Sequence, residues 1–194
     1  KAVIFMSITA KPADIKRMCE VHVEMFKEAL AHGGGLAVEP VHAVHTFMEE
    51  NRALEEAADR IEEIGREGGG APFSERFAAR RDELVGLWGK FATVEHHYRR
   101  KENQLFPFME KHGIVAPTQV MWSVHDEIRA ALKETRLALD RGDATGYALS
   151  APKALQTARD MFYKEEKILF PMTLDLLTID EWAQVKRGEV EIGY

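Results

Sequence analysis

The residues of this sequence best able to do chemistry are histidines and acids placed where a helix should show only apolar side chains. Between residues 150 and 177, Leu155, Ala158, Met161, Phe162, Leu169 and Met172 recur at helical spacing as one stripe, and Glu165 lies in its middle. His125 is set in the same way among Met121, Val124, Ile128 and Leu132. Leu87, Phe91, Val94, Tyr98 and Leu105 form a third stripe. Lys101 and Glu102 flank its centre on opposite sides, and His97 precedes Lys101 by one turn. His45 borders Val41, Val44 and Met48, with His42 pointing further away, and His22 is surrounded by Ile15, Met18, Cys19, Phe26 and Ala29.

A carboxylate left unpartnered in an apolar stripe costs several kcal/mol, so Glu165 must be neutralised, paired or bound to a metal. Imidazole and carboxylate together are the ligand set of non-haem iron, manganese or zinc, and helical bundles build such sites between facing helices. The competing reading pairs Glu165 with Lys101 and leaves each histidine packed and hydrogen-bonded. Convergence favours the metal: inward histidines fall on three successive helices and an inward carboxylate on the last. His32, His96 and His112 read as surface residues, and the methionine stripes as ordinary core. No hydrolytic machinery is present. The glycine triplets have neither a strand before them nor a Lys-Ser/Thr after them, and Cys19 has only His22 nearby.

Helices must position these groups. Breakers divide the chain into helical stretches at 12–31, 39–65, 74–111, 117–141 and 150–177, with a short final helix at 179–187. Gly33-Gly34-Gly35 stops the first, and Gly68-Gly69-Gly70 follows the second. Ser74 caps the third, and Pro107 kinks it or loosens its end. Ser150 and Pro152 open the fifth. No period-2 alternation competes. The third and fifth helices share a repeat: Glu102, Leu105, Phe106 and Pro107 recur at the same offsets as Glu166, Leu169, Phe170 and Pro171. The expected fold is all-α, an up-and-down four-helix bundle from a duplicated helix pair, with an additional N-terminal helix and a short C-terminal one.

The 194 residues suit one domain of ordinary size, 45% hydrophobic and 30% charged. A net charge of −6 without a basic block argues against nucleic acid and anionic membrane as partners. No apolar run approaches the ~20 residues of a spanning helix. The single cysteine excludes an internal disulfide and fits a reducing cytoplasm. The opening residues lack a signal peptide and an initiator methionine, as a fragment or processed chain would.

With Leu-Phe-Pro present twice, the sequence resembles the hemerythrin-like (HHE cation-binding) proteins over residues 41–173. In those proteins the first and third bundle helices each give one histidine. The second and fourth each give a His-x-x-x-Glu. The resemblance implies His45, His97, His125 and Glu165 as metal ligands. Lys101 stands where the first bridging carboxylate would be, and Met161 where the fourth histidine would be. A lysine ammonium repels a cation, so the simplest implied centre is mononuclear iron held by three histidines and one glutamate. Manganese and zinc suit the same donors. A dinuclear centre drawing on Glu102, His22 or His42 ranks second, and non-covalent haem with Met161 or an inward histidine as axial ligand ranks third.

More narrowly, Met18-Cys-Glu-Val-His22, Pro40-Val-His-Ala-Val-His45, Arg100-Lys-Glu-Asn-Gln-Leu-Phe-Pro107, Met121-Trp-Ser-Val-His125 and Glu191-Ile-Gly-Tyr194 resemble a bacterial and archaeal family in which a PAS-type sensor domain often follows the bundle. This implies an N-terminal segment at 1–38 packed on a bundle at 39–178, then a C-terminal helix and linker at 179–194. The implied role is a cytoplasmic sensory module for oxygen, nitric oxide or redox state. The alternatives are an iron oxidase or peroxide-reducing enzyme, with Lys101, Tyr98 or Tyr163 handling protons, and a metal-free structural or interaction bundle. Self-association as a homodimer is left open.

Overall fold

The computed structural model describes residue 36, residues 38–67 and residues 72–194. The expected N-terminal helix, with His22 and Cys19, lies outside the described residues. The remainder is helical, with no strand among the described residues.

Helix α1, Ala43–Arg66, is opened by His42, whose Nδ1 accepts the Val44 N–H at 3.1 Å. The second rod is built in pieces. They are α2 (Phe73–Phe91), α3 (Val94–Arg100), a π-helical turn at Lys101–Leu105 and α4 (Phe106–Lys111). Helix α5, Ala116–Arg141, ends at Gly142 with φ 67°, a left-handed angle that glycine adopts without strain. Helix α6 (Ala144–Lys164) runs into a second π-helical turn at Glu165–Leu169 and then α7 (Phe170–Leu176). Helix α8, Ile179–Ile192, closes the chain behind a capping box made by Thr178 and Glu181.

The rods alternate in direction. α1 packs on α2 and α6, α2 on α5 and α6, and α5 lies along α6 across a connection of only Gly142 and Asp143. α8 lies against α3, the first π turn and α1. Phe47, Phe91, Phe106 and Phe170 are fully buried in the core. Each such side chain contributes roughly 1.5–3 kcal/mol.

Three boundaries differ from expectation. The fifth stretch begins at Ala144, not after Pro152, because Asp143 is the cap: its Oδ1 accepts the Gly146 N–H at 2.9 Å. Ser150 instead bonds back to the Gly146 carbonyl at 2.9 Å, and Pro152 is carried inside the helix. The ring removes the partner of the Ala148 carbonyl, which is tolerable because Ala148 is exposed to water. The third stretch starts one residue before Ser74, on Pro72, and is interrupted at Ala92-Thr93. Finally, α8 passes through Gly188 to Ile192. There Gly188 sits beside the Gln104 side chain, and α8 packs on the first π turn.

Candidate functional site

The sequence repeat becomes a repeat of geometry. Proline has no N–H, so the carbonyl four residues before it loses its helical partner. Ahead of Pro107 and Pro171 the chain takes up one extra residue as a π turn. Phe106 donates to the Lys101 carbonyl and Phe170 to the Glu165 carbonyl, five residues back in each case. The two turns begin at Lys101 and Glu165, and these two side chains meet.

Lys101 and Glu165 are both fully buried, and the Lys101 ammonium donates to Glu165 Oε1. The other oxygen, Oε2, lies 2.9 Å from His97 Nε2 and accepts from Asn51 Nδ2 at 3.2 Å. His97 Nδ1 is 2.9 Å from Glu50 Oε2, and Arg100 holds the second Glu50 oxygen. Removing one partner of a buried pair such as Lys101–Glu165 typically costs ~3–5 kcal/mol, because the other charge is stranded.

The π turn also brings the neighbouring residue inward. Glu102 turns toward α5, where Oε1 contacts His125 Nδ1 at 2.7 Å and both oxygens accept from Arg129 at 2.8–2.9 Å. The Tyr98 ring stacks on His125 with centroids 4.0 Å apart, and the Lys101 ammonium lies 4.7 Å from the Tyr98 centroid. Tyr98 thus joins the two halves of the layer.

Burial drives the titration of this layer. It pulls His97 down to about 3, with help from the charge of Lys101, against Glu50. It holds His125 well below the ordinary histidine value, again with Lys101 adding to the effect. Burial also pulls Lys101 well below the lysine range, opposed by Glu102 and Glu50, and pushes Tyr98 up. Glu102 is raised by burial against Arg129. Burial pushes Glu50 up, but hydrogen bonds from His97 and Arg100 outweigh it and leave Glu50 below its usual value.

His97, Lys101, Glu102, Glu165 and, through Tyr98, His125 are therefore brought into one buried layer. His45 is not. Its side chain is 33% exposed and lies 3.9 Å from Glu49 on its own helix. His42 is the cap of α1, with its ring 4.5 Å from Trp182. Met161 is buried in the apolar core. α1 reaches the layer through Asn51, which is 1% exposed, and through Glu50. Sequence reasoning passed over both, and Arg100 and Arg129 as well. Asn51 did carry a signal, since it falls seven residues after Val44 and three after Met48 on the same apolar stripe.

Two imidazoles of the layer stand with a carboxylate behind them. The carboxylate behind His125 accepts only, so its Nδ1 carries the proton and its Nε2, in a neutral ring, presents a lone pair, whereas His97 has a carboxylate oxygen at each nitrogen. A carboxylate behind an imidazole is also the arrangement that orients a metal-binding histidine. His97 lies 2.9 Å from Glu50 Oε2 through Nδ1 and 2.9 Å from Glu165 Oε2 through Nε2, so the nitrogen of the neutral ring that lacks the proton faces an acceptor, a contact that a shared cation or a second proton resolves. His125 Nε2 and Asn51 Oδ1 are buried without a hydrogen-bond partner. A second cation is opposed by Lys101, whose ammonium already occupies the other face of Glu165. As the side chains stand, no three His, Cys, Asp or Glu groups converge on one point among the described residues.

A family model for the hemerythrin HHE cation-binding domain matches residues 42–173, well over half of the chain. No curated protein matches it at a significant level. No helix among the described residues is long and apolar enough to cross a membrane. With its all-α bundle and its buried layer of histidine and carboxylate, this chain belongs to the hemerythrin HHE cation-binding family.

Proposed function

We propose that this chain is a single-cation hemerythrin-like sensory module, in which His97, His125 and Glu165 hold the metal and Asn51 supplies what α1 contributes. The observation that carries the reading is the pair of carboxylate-backed imidazoles, Glu50–His97 and Glu102–His125, each with its Nε2 turned away from its carboxylate. Iron is the metal that best suits a site meant to respond to a diatomic gas or an oxidant, and a redox-active cation would supply that response when bound.

The chain's own residues do the rest. Lys101 donates to Glu165 and fixes it from behind. Tyr98 covers the face of His125. Contact with the C-terminal helix supports a sensory role. From His97 the chain of contacts passes through Glu50 to Arg100, whose guanidinium lies 5.4 Å from the Phe47 ring centroid and 4.7 Å from that of Tyr194. Lys186 of α8 donates to Thr46 Oγ1 at 2.9 Å, which ties the same helix to α1. A shift at His97 is thus carried to residues 179–194, where a following PAS-type domain would receive it.

A second reading, a metal-free interaction bundle, is favoured by the Lys101–Glu165 ion pair, which neutralises the central carboxylate without a metal. Elemental analysis of protein purified anaerobically without added metal separates the two. About one equivalent of iron per chain supports the single-cation module. Two equivalents overturn it in favour of a dinuclear centre. None, even after incubation with ferrous iron, manganese or zinc, leaves the metal-free bundle.

A further inference from the structure

Two opposite charges are buried where α8 meets α3, and each keeps one atom unpaired. Arg100 of α3 and Glu189 of α8 are both fully buried. Arg100 is turned toward the centre. Its Nη2 donates to Glu50 Oε1, while Glu50 Oε2 lies 2.9 Å from His97 Nδ1. Its Nε donates to the His96 carbonyl at 3.4 Å, a long bond, and its Nη1 has no partner. On the other side, Glu189 Oε2 lies 3.1 Å from Lys186 of its own helix, and Oε1 has no hydrogen-bond partner.

These groups share one neighbourhood. α8 packs on α3 and on α1. The Tyr194 ring lies 4.7 Å from the Arg100 guanidinium and 5.6 Å from the Lys186 ammonium. Burial raises Glu189, Lys186 and Arg100 oppose it, and Glu50 adds to it, so the charges of Arg100 and Glu50 both reach the Glu189 carboxyl. A guanidinium has five N–H donors in one planar fork. A buried donor or acceptor left without a partner carries its full desolvation penalty. Arg100 therefore faces two carboxylates, one that it holds and one that it does not.

We propose, on the sensory reading of the centre, that Arg100 is a two-position switch between Glu50 and Glu189, and that its choice sets how firmly α8 is docked. In the fold as it stands the guanidinium sides with Glu50. α8 is then held by Lys186, which donates to Thr46 of α1 at 2.9 Å, and by the burial of Trp182 and Val185. A positive charge gained at the His97 ring neutralises Glu50 and loosens its hold on Arg100. The guanidinium then passes to Glu189 and ties α3 to α8. The coupling is reciprocal: whatever pulls α8 away returns Arg100 to Glu50, and so bears on His97. The two positions of one side chain are the two-state element that both ends bias.

The test uses the full chain, free of metal, with hydrogen exchange read separately across residues 179–192 and 116–141. Glu50→Gln removes the charge that keeps Arg100 away from α8, so exchange across 179–192 is expected to slow by roughly threefold or more. Glu189→Gln removes the alternative partner, and exchange there is expected to quicken by a similar factor. The double variant should behave as Glu189→Gln does, because Arg100 has nowhere to go. A merely structural ion-pair network predicts instead that both single variants loosen α8. Faster or unchanged exchange across 179–192 in Glu50→Gln overturns the switch, and so does unchanged exchange in Glu189→Gln. If Glu50→Gln also quickens exchange across 116–141, the bundle itself is disturbed. Glu50→Asp, which only shortens the reach to Arg100, then takes its place with the same expected sign. Failure of these variants leaves the single-cation centre standing, since iron content tests that centre separately.

Discussion

An imidazole buried away from water resists protonation, and His97 shows the consequence for stability. Burial holds His97 at about 3, below the ordinary histidine value of 6.5. Between those values the unfolded chain binds a proton that the native chain refuses, so stability is full above pH 6.5 and is lost as pH falls toward 3. His125, also held low, adds a loss of the same sign. In metal-free protein the unfolding free energy from urea titrations should drop over this range by up to about 1.4 kcal/mol per pH unit for each group. His97→Gln should remove about half of that slope, and an unchanged pH profile in this variant would mean that His97 is not buried as a neutral ring.

The residues found and missed follow the same logic. His97, His125, Lys101 and Glu165 were legible because each breaks a well-formed apolar stripe. His45 only borders its stripe, and in the fold its side chain is partly exposed beside Glu49. Asn51 was hidden in the run Glu49-Glu50-Asn51-Arg52, which reads as a solvated face although two of its members reach inward. Arg100 could not be seen in the same way, because the ring that packs on it belongs to Tyr194, far along the chain.

Among the elements, the order of the bundle helices was legible from periodicity and breakers, whereas the boundary at 144–152 was not. Ser150-Ala-Pro152 has the composition of a helix start, and so does Asp143. Gly142 decides between them: its left-handed turn leaves Asp143 at the first free N–H groups. Asp143→Ala should therefore lower stability by about 1 kcal/mol, while Ser150→Ala should change it by less than about half of that. Thermal or urea unfolding of the two variants checks this, and the reverse order would restore the later start. The π turns were not legible either. Pro107 announced a disturbance, but the sequence does not say whether a helix kinks or widens there, and only widening brings Lys101 and Glu102 inward together.

For the whole molecule, α8 is a cover as well as a terminus. It lies against α3, which carries the fully buried Arg100, and its Glu189 is fully buried with Lys186 3.1 Å away. If Arg100 ties this cover to the centre, Arg100→Gln should raise hydrogen exchange across residues 179–192 several-fold and leave 116–141 nearly unchanged. Uniform protection in both regions would show that α8 docks independently of the His97–Glu50–Arg100 contacts.

A π turn is an α-helix carrying one residue too many, and this bundle has one in each of the two rods that end in Leu-Phe-Pro. Each is a place where the chain length can change by one without re-phasing the helix on either side, since losing a residue there restores the ordinary winding and α4 or α7 keeps its face. The interior layer, in contrast, would be withdrawn at a stroke, because Lys101 and Glu165 are the first residues of those turns. The molecule thus keeps the tolerance of its scaffold to insertion and deletion separate from the composition of its centre, and one-residue length variants can vary the second while leaving the first intact.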